Sequence, residues 1–307
     1  MDTKLFVRQQ SGGMFSILDR ETFPTGNVWW VGSTVTGATN GAGYGRSPDA
    51  PFATLLYAET QVAAGDTIYL LPGHNEGLGD AQIDLDVANL TVIGLGTGSK
   101  IPRIDFDHAN ASIDIGANDV TLKNIALLPS ITTILIGIDI EAGKTGTVLE
   151  DITILLGEDG AGADEFVIGV DLKAGCHDTT IRRLIGHMHA SSAHARAGIS
   201  LTGASHRVRI EDCDIKVLGA AAYAPIEGIT TLSTDIRIAR CVLVSDNEPG
   251  IELLTGTTGV IADNYIFTDL ATINAAIVAD GCAFFENYYV ELGNEAGAKI
   301  GTVSVDD

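Results

Sequence analysis

The chain has 307 residues, of which 45% are hydrophobic and 19% charged, with 36 glycines and only 6% aromatic residues. That mixture excludes a disordered chain and disfavours a leucine-rich helical bundle. Forty acidic residues against eighteen basic ones give a net charge of −22, a field that repels phosphate backbones, so no nucleic-acid partner is expected.

Residues 1–28 read as an extended N-terminal arm. They are polar, with Ser11-Gly12-Gly13 and Pro24-Thr25-Gly26, yet they carry Phe6, Met14, Phe15, Ile17, Leu18 and Phe23 without a repeat that would bury them. Such an apolar set marks an interface, with a shell or with a neighbouring subunit. The opening residues lack the apolar run of a signal peptide, and no stretch of 18 apolar residues occurs. A protein made in the cytoplasm, with no membrane partner, is the expectation. Residues 29–65 read as a linker and a capping helix. Ser47-Pro48-Asp49-Ala50-Pro51 precedes a predicted helix over Phe52–Ala64, with Phe52, Leu55, Leu56 and Val62 on its apolar side and Gly65 as its stop.

From 66 to 292 the chain repeats. A small residue followed by Φ-x-Φ (Φ usually apolar) opens segments at Ile113, Ile138, Val170, Ile199, Ile229, Ile251 and Ile277, at intervals of 22 to 32 residues. A second motif follows most of them: Val120-Thr-Leu122-Lys-Asn124-Ile125, Thr147-Val-Leu149-Glu-Asp151-Ile152, Val208-Arg-Ile210-Glu-Asp212-Cys213 and Ile236-Arg-Ile238-Ala-Arg240-Cys241. Alternation over four to six residues between Gly, Asp, Asn or Thr is the period of half-buried strands. Two or three short strands per repeat close no core alone; stacked copies bury a continuous one. The predicted fold is all-β, a right-handed parallel β-helix of about eight coils, with the helix before residue 65 as its lid. Residues 293–307 read as a C-terminal tail.

The segments Gly41-Ala-Gly-Tyr44-Gly, Ser47-Pro-Asp-Ala-Pro51-Phe-Ala-Thr-Leu55 and Gly65-Asp-Thr-Ile-Tyr-Leu70-Leu-Pro-Gly73-His resemble the opening of phage right-handed parallel β-helix proteins of the pectate-lyase-like fold. The resemblance is specific over residues 26–75 and architectural from 80 to 292. It implies the fold and a virion location, and by itself no activity. Tailspikes of this type carry a separate particle-binding head; the short arm here is more similar to capsid decoration proteins. The resemblance therefore implies a capsid decoration or cement protein, assembled in the host cytoplasm as a homotrimer, with the major capsid protein as partner of the arm. The alternative is a tail adhesin or depolymerase acting on host-surface glycan.

Several residue sets invite chemistry. Asp114, Asp139, Asp171, Ser200, Thr230 and Glu252 take the middle position of Φ-x-Φ in successive coils and are expected to point outward about 4.8 Å apart. Such a column reads as a solvated charged face, with cation binding or the carboxylate pair of a glycosidase as the functional alternatives. No aromatic platform and no wall-forming loop accompanies it, so catalysis, and with it an enzyme, is not expected. Residues 182–240 carry eight Lys and Arg against five Asp and Glu. This belt either meets an acidic neighbouring subunit or pairs locally with Glu211, Asp212 and Asp235. His187 and His189, with His194 and His206, offer no third metal-ligand spacing. Cys213 and Cys241 read as small core residues, and Asn124, Asn264 and Asn287, one position earlier, as an amide ladder. No phosphate loop, HExxH, GxSxG or EF-hand loop occurs, so no cofactor, metal or catalytic residue is expected.

Overall fold

The computed structural model describes residues 6–8, 15–17, 26–157, 164–188, 197–218, 224–246, 248–270, 276–291 and 301–303. Over them the chain is a parallel β-helix built from three sheets of ten, ten and eight strands. Each coil gives one strand to each sheet in turn, as in Thr121–Lys123, Ala126–Pro129 and Ile134–Ile140. Alternation sends one side chain of each strand inward, and the in-register stack makes continuous buried columns. In the first sheet the inner column runs Ile68, Val92, Leu122, Leu149, Ile181, Ile210, Ile238 and Ile261, all fully buried. In the third it runs Ile83, Ile113, Ile138, Val170, Ile199, Ile226, Ile251 and Ile277.

The corner between the first and second sheets needs a left-handed residue in each of seven consecutive coils: Asn124, Asp151, Arg183, Asp212, Arg240, Asp263 and Glu286, with φ between 48° and 57°. Asn and Asp tolerate that conformation; Arg and Glu hold it against a cost. The next position points inward and is occupied by Ile125, Ile152, Leu184, Cys213, Cys241, Asn264 and Asn287, each nearly or fully buried. The four cysteines are buried free thiols. The expected amide ladder is therefore corrected by one residue. Asn264 and Asn287 take the cysteine position and bond each other at 2.9 Å. Asn124 sits on the corner itself and donates to Gly94 O and Gly96 O. Its alignment failed because Asp263-Asn264 offers two turn-forming residues where one was expected.

The end of the core near residue 30 is covered by a short helix, Leu55–Ala58, continued by a 3₁₀ turn at Glu59–Gln61. The helix is shorter than the expected Phe52–Ala64 because Phe52 is drawn into a bridge with Val31 and Val62 is extended. Thr54 caps it by accepting from Tyr57 N. Glu76, the first residue of the inner column of the second sheet, accepts from Leu55 N (2.6 Å), Leu56 N and the buried His74. Strand Val28–Val31 pairs with Thr67–Leu70 and opens the first sheet, burying both tryptophans. Trp29 stacks on Phe52 at 5.5 Å and donates to Asp66. Among the described residues no helix is long and apolar enough to cross a membrane.

Candidate functional site

The outer face of the third sheet holds the acidic column. Register places Asp84, Asp114, Asp139, Asp171, Ser200, Glu227 and Glu252 side by side in successive strands. Thr230 is not among them. The strand there is Ile226–Gly228, three residues before the frame that Gly228-Ile229-Thr230 suggested. Asp84 extends the column at its other end; Gln82 in place of a small residue hid it. The remaining expected members take their places.

The column is not the solvated face its charge implied. Exposure falls along it from Asp84, which is open, through the half-buried Asp114 and Asp139 to Asp171, Ser200 and Glu227, which are buried. Two strands in this stretch are long. Ile134–Ile140 and Phe166–Leu172 run seven residues where most strands have three or four. Their extra residues continue the third sheet beside the column, and Leu135 and Ile136 among them form a wall there. Glycine permits the packing where wall meets column: a Cβ on Gly137 would lie 2.7 Å from Gly169 O, and one on Gly169 would lie 2.6 Å from Gly198 O.

Between this wall and the 109–111 turn lies a cleft of about 390 Å³. Asp114 and Asp139 form its floor, Gln82, Ser112 and Asn110 supply polar groups, and Leu135 and Ile136 its apolar side. A second cleft of about 160 Å³ follows on the same face, formed by Ile168, Ser200, Thr202, Glu227, Ile229 and Thr230. Ser200 donates to Glu227 at 2.8 Å. Lys173 stands between the two clefts. Its ammonium bonds Asp171 and lies 3.7 Å from Asp139 Oδ1. Thr202 Oγ donates to Asp171 at 2.7 Å.

These surroundings separate the carboxyls. Asp171 has a cation and a hydroxyl donor. Asp139 Oδ1 has no hydrogen-bond partner. Burial first, and then the charges of Asp171 and Asp114 against the pull of Lys173, push Asp139 up to about 6. Asp114 is also raised, by burial and then by Asp84 and Glu141, with Ser112 opposing. Burial pushes Glu59, on the 3₁₀ turn near Asp84, up to about 8. The result is a carboxyl whose affinity for a proton is raised by burial and by its acidic neighbours, an arrangement that acid–base chemistry uses.

The other sequence-predicted residues lie apart from this face. Phe6, Phe15 and Ile17 fall on two short antiparallel strands, Phe6–Arg8 and Phe15–Ile17, whereas Met14, Leu18 and Phe23 lie outside the described residues. Five arginines of the basic belt pair within the chain: Arg182 with Glu150, Arg183 with Glu150 and Asp151, Arg207 with Asp178, Arg237 with Glu211 and Arg240 with Asp212. His187 pairs with Asp214 at 2.9 Å, and the His206 ring lies tilted against His177, 4.5 Å between centroids. His189 and His194 lie outside the described residues.

No family model and no curated protein matches the chain. Solved structures similar to it include a pectate lyase, 12% identical with a TM-score of 0.49, the match covering 87% of this chain and 78% of that one. A rhamnogalacturonan lyase is 11% identical with a TM-score of 0.45, over 91% of this chain and 66% of that one. A tailspike protein of an E. coli bacteriophage is 11% identical with a TM-score of 0.40, over 87% of this chain and 54% of the tailspike. What these share with the chain is the fold. They also correct one expectation. The sequence reading excluded an enzyme, yet two of these structures are polysaccharide lyases. One physical ground for that exclusion, a fully solvated column, is absent as well, whereas the lack of an aromatic platform beside it stands. The exclusion is withdrawn.

Proposed function

We propose that the chain engages and cleaves a polysaccharide at the Asp114–Asp139 cleft, as a tail adhesin or depolymerase acting on host-surface glycan. One observation carries this reading: a walled cleft whose floor sets a carboxyl poised near pH 6 beside a carboxylate in the next strand. Neighbouring strands stand roughly 4.8 Å apart, close to the roughly 5–5.5 Å between the carboxyls of retaining glycosidases. In this role Asp139 is the general acid, giving its proton to the departing glycosidic oxygen. Asp114, bonded to Ser112, attacks the anomeric carbon from the other face as the glycosidic bond breaks, and water, deprotonated by Asp139, then hydrolyses the glycosyl–Asp114 ester. Asp171, in the next strand, and Lys173 flank Asp139; the charge of Asp171 raises the affinity of Asp139 for a proton. Leu135 and Ile136 give the sugar an apolar flank in place of the aromatic platform.

The virion setting follows the resemblance of residues 26–75 to phage β-helix proteins. The cleft is preferred over capsid decoration because it is a formed site, whereas the surroundings of the arm's apolar side chains are undescribed. The test is release of reducing ends from host-surface polysaccharide. Wild type is expected to release them with a rate that falls as pH rises above about 6, and Asp139→Asn or Asp114→Asn to lose at least about a hundredfold. Full cleavage by Asp139→Asn would end this reading.

A further inference from the structure

We infer that the glycan is one without carboxylate, sulfate or phosphate groups, lying along the helix axis across both clefts of the third sheet. This rests on the reading of the Asp114–Asp139 cleft as a glycan site. The two clefts share one face and one column. From Asp114 to Glu227 are four strand steps, through Asp139, Asp171 and Ser200. That is roughly 19 Å at the sheet spacing, enough for several linked rings.

Charge decides the class. The lining of both clefts contains Asp80, Asp114, Asp139 and Glu227 and no Lys or Arg among the described residues. The one cation between them, Lys173, is already bonded to Asp171 and close to Asp139. A uronate or sulfate laid in either cleft would meet carboxylates at close range with no counter-charge, in a protein of net charge −22. A uronate lyase reaction also needs the substrate carboxylate neutralised before its α-proton can leave, and these linings carry no Lys or Arg to do so. Hydroxyl-rich rings suit them better. Gln82 and Asn110 donate and accept, the hydroxyls of Ser112 and Thr230, whose hydrogens go to Asp114 and Thr202 O, accept, the carboxylates accept, and Leu135 and Ile229, respectively 61% and 37% exposed, provide apolar contact beside each cleft.

The experiment is binding of the full chain to an array of uncharged glycans and of glycans bearing uronate, sialate or sulfate, repeated at low and high salt. Binding confined to non-anionic glycans, and changed less than about twofold by salt, supports the inference. Preferential binding of anionic glycans overturns it and leaves the cleft as a glycan site. Binding to no glycan overturns it together with the proposed function. For the axial placement, Thr230→Tyr should fill the second cleft. It is expected to weaken glycans long enough to span both clefts by about tenfold and to leave short ones unchanged. Equal loss for short and long glycans, or no loss for either, contradicts that placement.

Discussion

The corner between the first and second sheets and the outer face of the third stack charged residues at the same repeat and treat them oppositely. At the corner the signs alternate where the charge is dense. Arg183 follows Asp151 and bonds it at 2.6 Å; Arg240 follows Asp212 and bonds it at 2.7 Å. Alongside, Arg182 meets Glu150 and Arg237 meets Glu211. On the third sheet Asp84, Asp114, Asp139 and Asp171 follow one another, and among the described residues a single cation, Lys173, pairs with them. Like charges opposite one another in adjacent strands weaken a sheet, and half-burial makes the repulsion worse. The corner is a structural ladder. The face carries a destabilising arrangement that the fold does not need, which is why function is sought there.

The largest effect expected on this contrast comes from the glycines that let the wall stand beside the acids. In Gly169→Ala the new Cβ would meet Gly198 O at 2.6 Å and Leu156 Cδ2 at 2.9 Å. Neither backbone nor core can yield freely, so a loss of about 2–4 kcal/mol is expected, read as a lower urea midpoint. An unchanged midpoint would show that the wall does not depend on close backbone approach.

Next is Lys173→Met. It leaves Asp171, 1% exposed, without its cation. Removing one partner of a buried pair costs about 3–5 kcal/mol, and the half-open lysine reduces that to about 2 kcal/mol. Adding Asp171→Asn should return most of the loss, because no bare charge then remains. If the double variant is as unstable as the single one, the lysine acts by packing and not by charge.

Asp139→Asn comes third, and its sign is unusual. Asp139 is raised to about 6 in the folded protein, above its unfolded value of about 3.9. Between those values the folded state binds more protons than the unfolded one. Stability therefore falls as pH rises from about 4 to 6 and does not recover above it. For a partly exposed group the swing is about 1 kcal/mol. The variant should lose this swing and be as stable as, or slightly more stable than, wild type at pH 7. A paired corner carboxylate shows no such gain on neutralisation. Denaturant midpoints across pH 4–8 compare the two.

The coils were legible because stacking forces every repeat to write the same alternation. Asp114, Asp139, Asp171, Ser200 and Glu252 could be placed in one column from that frame alone. The local partners of the arginines were partly legible too, since Glu211 and Asp212 share their motif. What the frame could not show was depth. Charge predicts solvent only where the strand is short, and nothing between Ile134 and Ile140 marks the point at which a coil ends and a wall begins. Runs such as Ile134-Leu-Ile-Gly-Ile continue the strand pattern without a polar break. Glu227 was missed for a related reason: Pro225 stands where other coils have a small residue, and Gly228-Ile229 imitates the opening three residues late. The upward shift of Asp139 arises from burial and from acidic neighbours one coil away on either side, which no local motif records.

The smallest effect tests the corner on its own terms. Asp212 is held below the usual carboxylate range by the Arg240 guanidinium, and the pair is more than two-fifths exposed on both sides. Its carboxylate favours the fold above the unfolded value of about 3.9, and that contribution is lost as pH falls through the lower folded value. Side-chain ordering and solvent screening leave such a pair about 0.5 kcal/mol. Arg240→Ala should therefore lower stability by about that much at low salt. At about 1 M salt, where the screening length is about 3 Å, it should lower stability by almost nothing. The left-handed backbone at residue 240 is retained in both proteins, so its strain cancels in the comparison. If the loss is several times larger and salt does not reduce it, the corner is not a screened surface ladder. Its arginines would then be required to hold the turn, and alternation of sign would no longer separate this surface from the acidic face.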